Sequence, residues 1–208
     1  MSVRRLRWIL WGLVLVAGAA FALLLAERGR PVPPAAAIQP LVDVAELGGP
    51  FALTDQDGRA VSERDLAGRP YALFFGFTHC PDVCPTTLYG LTQLMAALGP
   101  DAERLRVLFV TVDPARDTVG QLKLYLSSFD PRITALTGTP DAVAGMLGNF
   151  RAYARKVPTG DSYTMDHTAL VYLMGADGRF VSTLDMHEPQ DIQLGKLKRL
   201  VAREVTTP

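Results

Sequence analysis

The sequence predicts an α/β domain, and three observations predict it. Two short apolar runs, residues 71–77 (YALFFGF) and 106–113 (RVLFVTVD), have the composition of strands buried on both faces. Each is followed by a segment whose apolar residues recur at helical spacing. The chain then closes on a hairpin pattern and a last helix. Strand, helix, strand, helix in that order calls for right-handed crossovers, and so for a parallel pair at the centre of the sheet.

The elements follow in order. Residues 51–54 and 59–61 flank DQDG, a turn that joins two short strands into a hairpin. SERDLAGR supplies a helical turn. After the first buried strand, Leu88, Leu91, Leu94, Met95 and Leu98 mark a helix over residues 85–98. After the second, DTVGQLKLYLSSF forms a helix that Thr118 and Gln121 open as a capping box. TPDAVAGMLGNF starts another, with Thr139 as N-cap and Pro140 in its first position. TGDSYTMD reads as loop. HTALVYLM, residues 167–174, reads as a strand that GADG turns into a second strand, RFVSTL. A helix over about residues 189–204 ends the domain. This is the layout of a thioredoxin-like three-layer sandwich with an N-terminal hairpin and an inserted helix.

A different kind of segment precedes it. Arg4, Arg5 and Arg7 come before an uninterrupted apolar run over residues 8–26. As a helix that run spans roughly 28 Å, close to the ~30 Å hydrocarbon core of a bilayer. The arginines favour the cytoplasmic side, which exports the rest. Ala17-Gly18-Ala19 resembles a signal-peptide cleavage site, but FALLLA continues the apolar run past it. We therefore expect residues 1–28 to be one uncleaved transmembrane anchor with a short cytoplasmic tail. Residues 29–42, rich in Pro and Ala, would be a spacer, and residues 43–208 the exported domain. The formal net charge is zero and no basic stripe carries interleaved aromatics, which argues against a nucleic-acid partner. With no long Arg- and Ser-rich transit peptide, the expected location is a bacterial inner membrane, single pass, with the C-terminal domain in the periplasm.

The chain has two cysteines, Cys80 and Cys84, both in FFGFTHCPDVCPTTL. They lie just past the C-terminal end of a buried strand, where open α/β sheets place their sites. Pro85 suits a helix's first turn, which puts Cys84 at or near its N-cap, where amide donors and the helix dipole favour a thiolate. A structural disulfide, a redox dithiol and a metal site all remain open on this spacing. Two thiolates are an incomplete ligand set, so the metal reading needs a third ligand. Three histidines are available. His79 neighbours Cys80 but points to the other side of an extended segment. His187 lies beyond the last hairpin. His167 opens an apolar strand beside Asp166, a carboxylate able to fix its tautomer. A set of Cys80, Cys84 and His167 would suit Cu(I) better than structural zinc, which takes four closed ligands.

Three blocks, GFTHCPDVCPTTL, FVTVDPARDT and MDHTALVYLMGADGRFV, resemble in order the signature blocks of the SCO/SenC family: membrane-anchored, thioredoxin-like copper proteins that assist assembly of cytochrome c oxidase. The resemblance runs over about residues 45–204. It implies that Cys80, Cys84 and His167 bind a copper ion destined for the dinuclear copper centre of oxidase subunit II. It implies as partners that subunit, a thiol reductant and an upstream copper donor. It also implies an alternative, in which Cys80 and Cys84 are the redox-active pair of a thiol-disulfide oxidoreductase that reduces the subunit II cysteines. Asp82, Asp113, Arg116 and Asp117 match the motifs as well. We expect structural roles for the last three, with Arg116 and Asp117 as an ion pair or a helix-start charge.

Overall fold

The computed structural model describes residues 47–203 without a break, and nine helical residues between positions 7 and 22. Contacts divide the chain into two units, Met1–Val42 and Asp43–Pro208. Most of the expected anchor lies outside the described residues. Among those described, no helix is long and apolar enough to cross a membrane.

The larger unit is built on a seven-stranded mixed sheet. Its strands are β1 (Ala52–Asp55), β2 (Ala60–Ser62), β3 (Tyr71–Gly76), β4 (Arg106–Thr111), β5 (Ile133–Thr137), β8 (Val171–Met174) and β9 (Phe180–Leu184), in the spatial order β2-β1-β5-β4-β3-β8-β9. β3 and β4 form the expected parallel pair, and β5 extends it. The two hairpins, β1–β2 and β8–β9, close the sheet antiparallel at its edges. Every residue of β3 is buried, which is why its sequence shows no alternation.

Helices cover both faces. They are α1 (Glu63–Leu66), α2 (Val83–Leu98), α3 (Val119–Leu126), α4 (Pro140–Asn149) and α5 (Gln190–Ala202), with a 3-10 turn at Gly99–Arg104. Phe74 and Phe109, paired in register, turn to one face, where Phe109 meets Tyr125 of α3. Phe75 and Tyr172 turn to the other and meet Phe150 at the end of α4. The result is the three-layer, thioredoxin-like sandwich. Short-range signals set the helix starts. Thr118 Oγ1 accepts the Gln121 amide at 3.3 Å, and Thr139 Oγ1 accepts the Ala142 amide at 3.2 Å. Ser62 and Asp65 form a full capping box on α1.

Two expectations change. TGDSYTMD is not a loop: with the preceding residues it forms a separate antiparallel hairpin, β6 (Ala154–Thr159) and β7 (Ser162–His167). His167 accordingly ends β7 instead of opening a strand that runs to Met174. Between the two strands the chain crosses from the small sheet to the large one. The crossing is pinned where Thr168 N–H donates to Tyr153 O at 3.0 Å and Tyr153 N–H donates to Thr168 Oγ1 at 2.9 Å. The strand β5 also had no expectation attached to it.

At the end of β3 the backbone passes close to other groups. A Cβ on Gly76 would lie 2.6 Å from Phe109 Cε2 and 2.8 Å from Cys84 Sγ, so only glycine fits without a shift. Gly76→Ala is therefore expected to overpack this point and to cost about 1–3 kcal/mol, read as a lower urea midpoint. A midpoint equal to that of the parent would mean that α2 packs less tightly on β3 than described.

A candidate metal centre

The centre is assembled where β3 delivers the chain to α2. Phe77, Thr78 and His79 follow the strand, Cys80 comes next, and α2 begins at Val83 with Asp82 as N-cap. The helix thus starts two residues before Pro85. Cys84 lies inside the first turn, and Pro85 occupies the third helical position, where a missing N–H costs no bond. The expectation that Cys84 is the thiolate is accordingly reversed. Cys84 is fully buried, and its backbone N–H points at Cys80 Sγ, 3.4 Å away. Cys80, 9% exposed, sits over the open end of the 16-residue helix. The hydrogen bond from the Cys84 thiol, reinforced by backbone amides at the start of the helix, holds the Cys80 thiol far below its usual range. The same bond, together with burial, pushes Cys84 up. The contact thus biases the pair, Cys80 toward thiolate and Cys84 toward thiol, and both cysteines are free.

His167 completes the group. Its Nε2 lies 3.5 Å from Cys84 Sγ, and its ring stands edge-on to Phe77 and Phe74, with centroids 5.7 and 6.1 Å away. Nδ1 lies 3.0 Å from the Thr168 carbonyl oxygen, which can only accept, so Nδ1 carries the proton and Nε2 presents its lone pair to the sulfurs. The residue fixing this tautomer is not Asp166, as the sequence suggested; that carboxylate faces outward, 3.7 Å from Arg155. The two Sγ atoms and the imidazole nitrogen all lie within 4.8 Å of one another. Among the described residues this is the one group of three or more such side chains able to hold a metal ion. An open groove lined by Phe77, Cys80, Val83, Met165 and His167 leads to it. The other two histidines stay apart. His79 Nδ1 lies 3.1 Å from Thr78 Oγ1, and His187 pairs with Asp185.

Residues matching the second motif support this loop from beneath. Asp117, wholly buried, accepts from Thr78 N–H at 3.1 Å, Thr78 Oγ1 at 2.6 Å and Thr111 Oγ1 at 2.6 Å. It fixes the segment entering Cys80 to the end of β4, and is neither an ion-pair partner of Arg116 nor a helix-start charge. Arg116 instead pairs with Asp113. Tyr163, which the sequence gave no reason to single out, joins that pair: its hydroxyl donates to Asp113 Oδ1 at 3.0 Å and its carbonyl accepts from Arg116 Nη1 at 3.0 Å.

The chain is similar to known proteins. Residues 40–202 match the family model described as SCO1/SenC. The mitochondrial protein SCO2 of Saccharomyces cerevisiae is 39% identical over 159 residues, 74% of this chain and 53% of that protein. The chain thus spans about half the length of that relative. Bradyrhizobium japonicum ScoI, solved with copper bound, superposes with a TM-score of 0.71 at 50% identity, over 74% of this chain and 99% of that one. BsSco, a member of the Sco family of cytochrome c oxidase assembly proteins with a disulfide switch, superposes with a TM-score of 0.63 at 27% identity, over 77% and 96%. With the match covering residues 40–202, all but the last residue of the described domain, and the two cysteines and the histidine drawn together within it, the chain belongs to the SCO1/SenC family.

Proposed function

We propose that this chain is a copper carrier: it binds one Cu(I) ion through Cys80, Cys84 and His167 and assists assembly of the dinuclear copper centre of cytochrome c oxidase subunit II. The observation that carries the reading is the convergence of two sulfurs and one imidazole nitrogen within 4.8 Å, without a fourth ligand in that group. Soft thiolates in a low-coordinate site favour Cu(I), and imidazole is compatible with it. The electrostatics give an order of events. The Cys80 thiolate at the groove captures the ion. Binding then draws in Cys84, whose thiol releases its proton, and His167 Nε2 fills the third position. An acceptor thiolate entering by the groove replaces these ligands one at a time. A disulfide offers no thiolates, so loading requires the reduced pair, and an exported domain then needs a separate thiol reductant and an upstream copper donor. The apolar run over residues 8–26 would hold the site at the periplasmic face of a bacterial inner membrane.

A second reading has its own support. A low-pKa thiolate beside a buried neutral thiol is also the layout of a reductase. Cys80 would attack a partner disulfide and expel one partner thiolate. Cys84, once deprotonated, would attack Cys80 Sγ and release the other. His167 separates the two readings. His167→Ala is expected to lower copper affinity by more than roughly tenfold, the scale on which even outer partners of a ligand act, while leaving the dithiol potential in place. Chelator competition and a glutathione redox titration read the two quantities. Unchanged copper affinity would remove His167 from the ligand set and leave the reductase.

The thiolate assignment has a test of its own. A thiol with pKa about 8.5 is only roughly 0.3% thiolate at pH 6. Because the Cys80 pKa is depressed, its thiolate persists as pH falls through that range and is lost only at lower pH. Iodoacetamide should therefore modify Cys80 at pH 6 nearly as fast as at pH 8, with Cys84 unmodified, as read by peptide mass spectrometry. A rate that falls with the ordinary thiol titration would contradict it.

A further inference from the structure

His167 stands on an arm. The β6–β7 hairpin is a two-stranded sheet, and no strand of the central sheet pairs with it. Its base is tied by the Tyr153–Thr168 bonds. Farther along, the tie is Tyr163. Side chains alternate along a strand, so Tyr163, Met165 and His167 share one face of β7, and all three are half-buried. Tyr163 is held in four ways. Its hydroxyl donates to Asp113 and its carbonyl accepts from Arg116. The Arg116 guanidinium carbon lies 3.7 Å from its ring centroid, and Lys156 Nζ lies 3.8 Å from the same point. Both cations thus lie against the Tyr163 ring. Asp113, 3% exposed, anchors the guanidinium from the β4 end of the central sheet. Arg116 Nη2 is buried and has no hydrogen-bond partner among the described residues.

We propose that Arg116, with Asp113 and Tyr163, is a positioning latch: closed, it presents His167 to Cys80 and Cys84; open, it withdraws the imidazole while both sulfurs stay on the domain. Opening vacates one coordination position on the bound Cu(I), and that is the position an incoming acceptor thiolate takes. Besides the latch's own hydrogen bonds, only the metal-to-nitrogen bond breaks within the domain, and no electron moves. The inference rests on the copper-site reading above and adds to it the device that times release.

The test follows removal of copper from the Cu(I)-loaded full chain by excess bathocuproine disulfonate without oxygen. The variants are Tyr163→Phe, Arg116→Ala and Arg116→Lys, each made in the parent and in His167→Ala. Thermal unfolding confirms that each is folded, and Tyr163→Phe, which loses only the hydroxyl, secures the test if Arg116→Ala does not fold. In the parent, Arg116→Ala should accelerate removal roughly tenfold, the usual scale for a group that orients a ligand. Tyr163→Phe should accelerate it less, and Arg116→Lys, which keeps the cation against the ring, should recover part of the loss. In His167→Ala none of them should accelerate it further, because the latch acts only through the imidazole. Equal acceleration in both backgrounds would show a merely structural role and overturn the latch. So would unchanged rates in the parent when His167→Ala itself accelerates removal. If His167→Ala changes nothing, the ligand assignment falls, and the latch falls with it.

Discussion

The third member of this candidate metal group comes from outside the element that carries the first two. Eighty-three residues separate Cys84 from His167, and the hairpin bearing the histidine shares no backbone ladder with the sheet bearing the cysteines. Everything else at the site serves that meeting. Gly76 lets Cys84 settle against β3. Phe74 and Phe77 give the imidazole two rings to stand against. The Thr168 carbonyl oxygen turns the free nitrogen toward the sulfurs. Side-chain contacts, and not the sheet, thus close the gap between two nearly independent parts. Such contacts are easier to break and remake than a strand pair, which suits the proposed release of an ion.

Two buried aspartates divide the work beneath it. Asp117 is wholly buried, and a carboxylate there is tolerable only because it has three donors. Those donors come from the loop before Cys80 and from the end of β4, so the cost of burying the charge is repaid as a fixed entry to the cysteine loop. Its backbone oxygen also accepts from Thr137 Oγ1 at 2.9 Å, which ties in β5. Asp113 serves the other half of the site, through Arg116 and Tyr163. Neither carboxylate belongs to the Cys80–Cys84–His167 group. Their place in the motif follows from holding the segments that carry Cys80 and His167 to one sheet.

The parts of this architecture that are written locally could be read locally. The strands β3 and β4 are buried on both faces and so appear as apolar runs. The threonine caps of α3 and α4 act within three residues. The cysteine spacing also announced itself, and the family blocks pointed to His167. What escaped was written over longer distances or in weaker patterns. The hairpin β6–β7 has no core of its own, so its sequence carries Arg155, Lys156 and Pro158 where a buried strand would carry apolar residues. β5 is five residues long with two threonines, too short to show a period. The pairing of Arg116 with Tyr163 spans 47 residues, and no local rule points from one to the other. Which sulfur is favoured as thiolate depended on a shift of two residues in the start of α2, a boundary that Pro85 alone placed too late.

Whether two sulfurs and one imidazole bind a single Cu(I) ion is read directly by X-ray absorption at the copper edge of the Cu(I)-loaded chain. The expected result is a three-coordinate ion with two sulfur scatterers and one nitrogen scatterer, the nitrogen disappearing in His167→Ala. A two-coordinate ion bound by sulfur alone in the parent chain would contradict it.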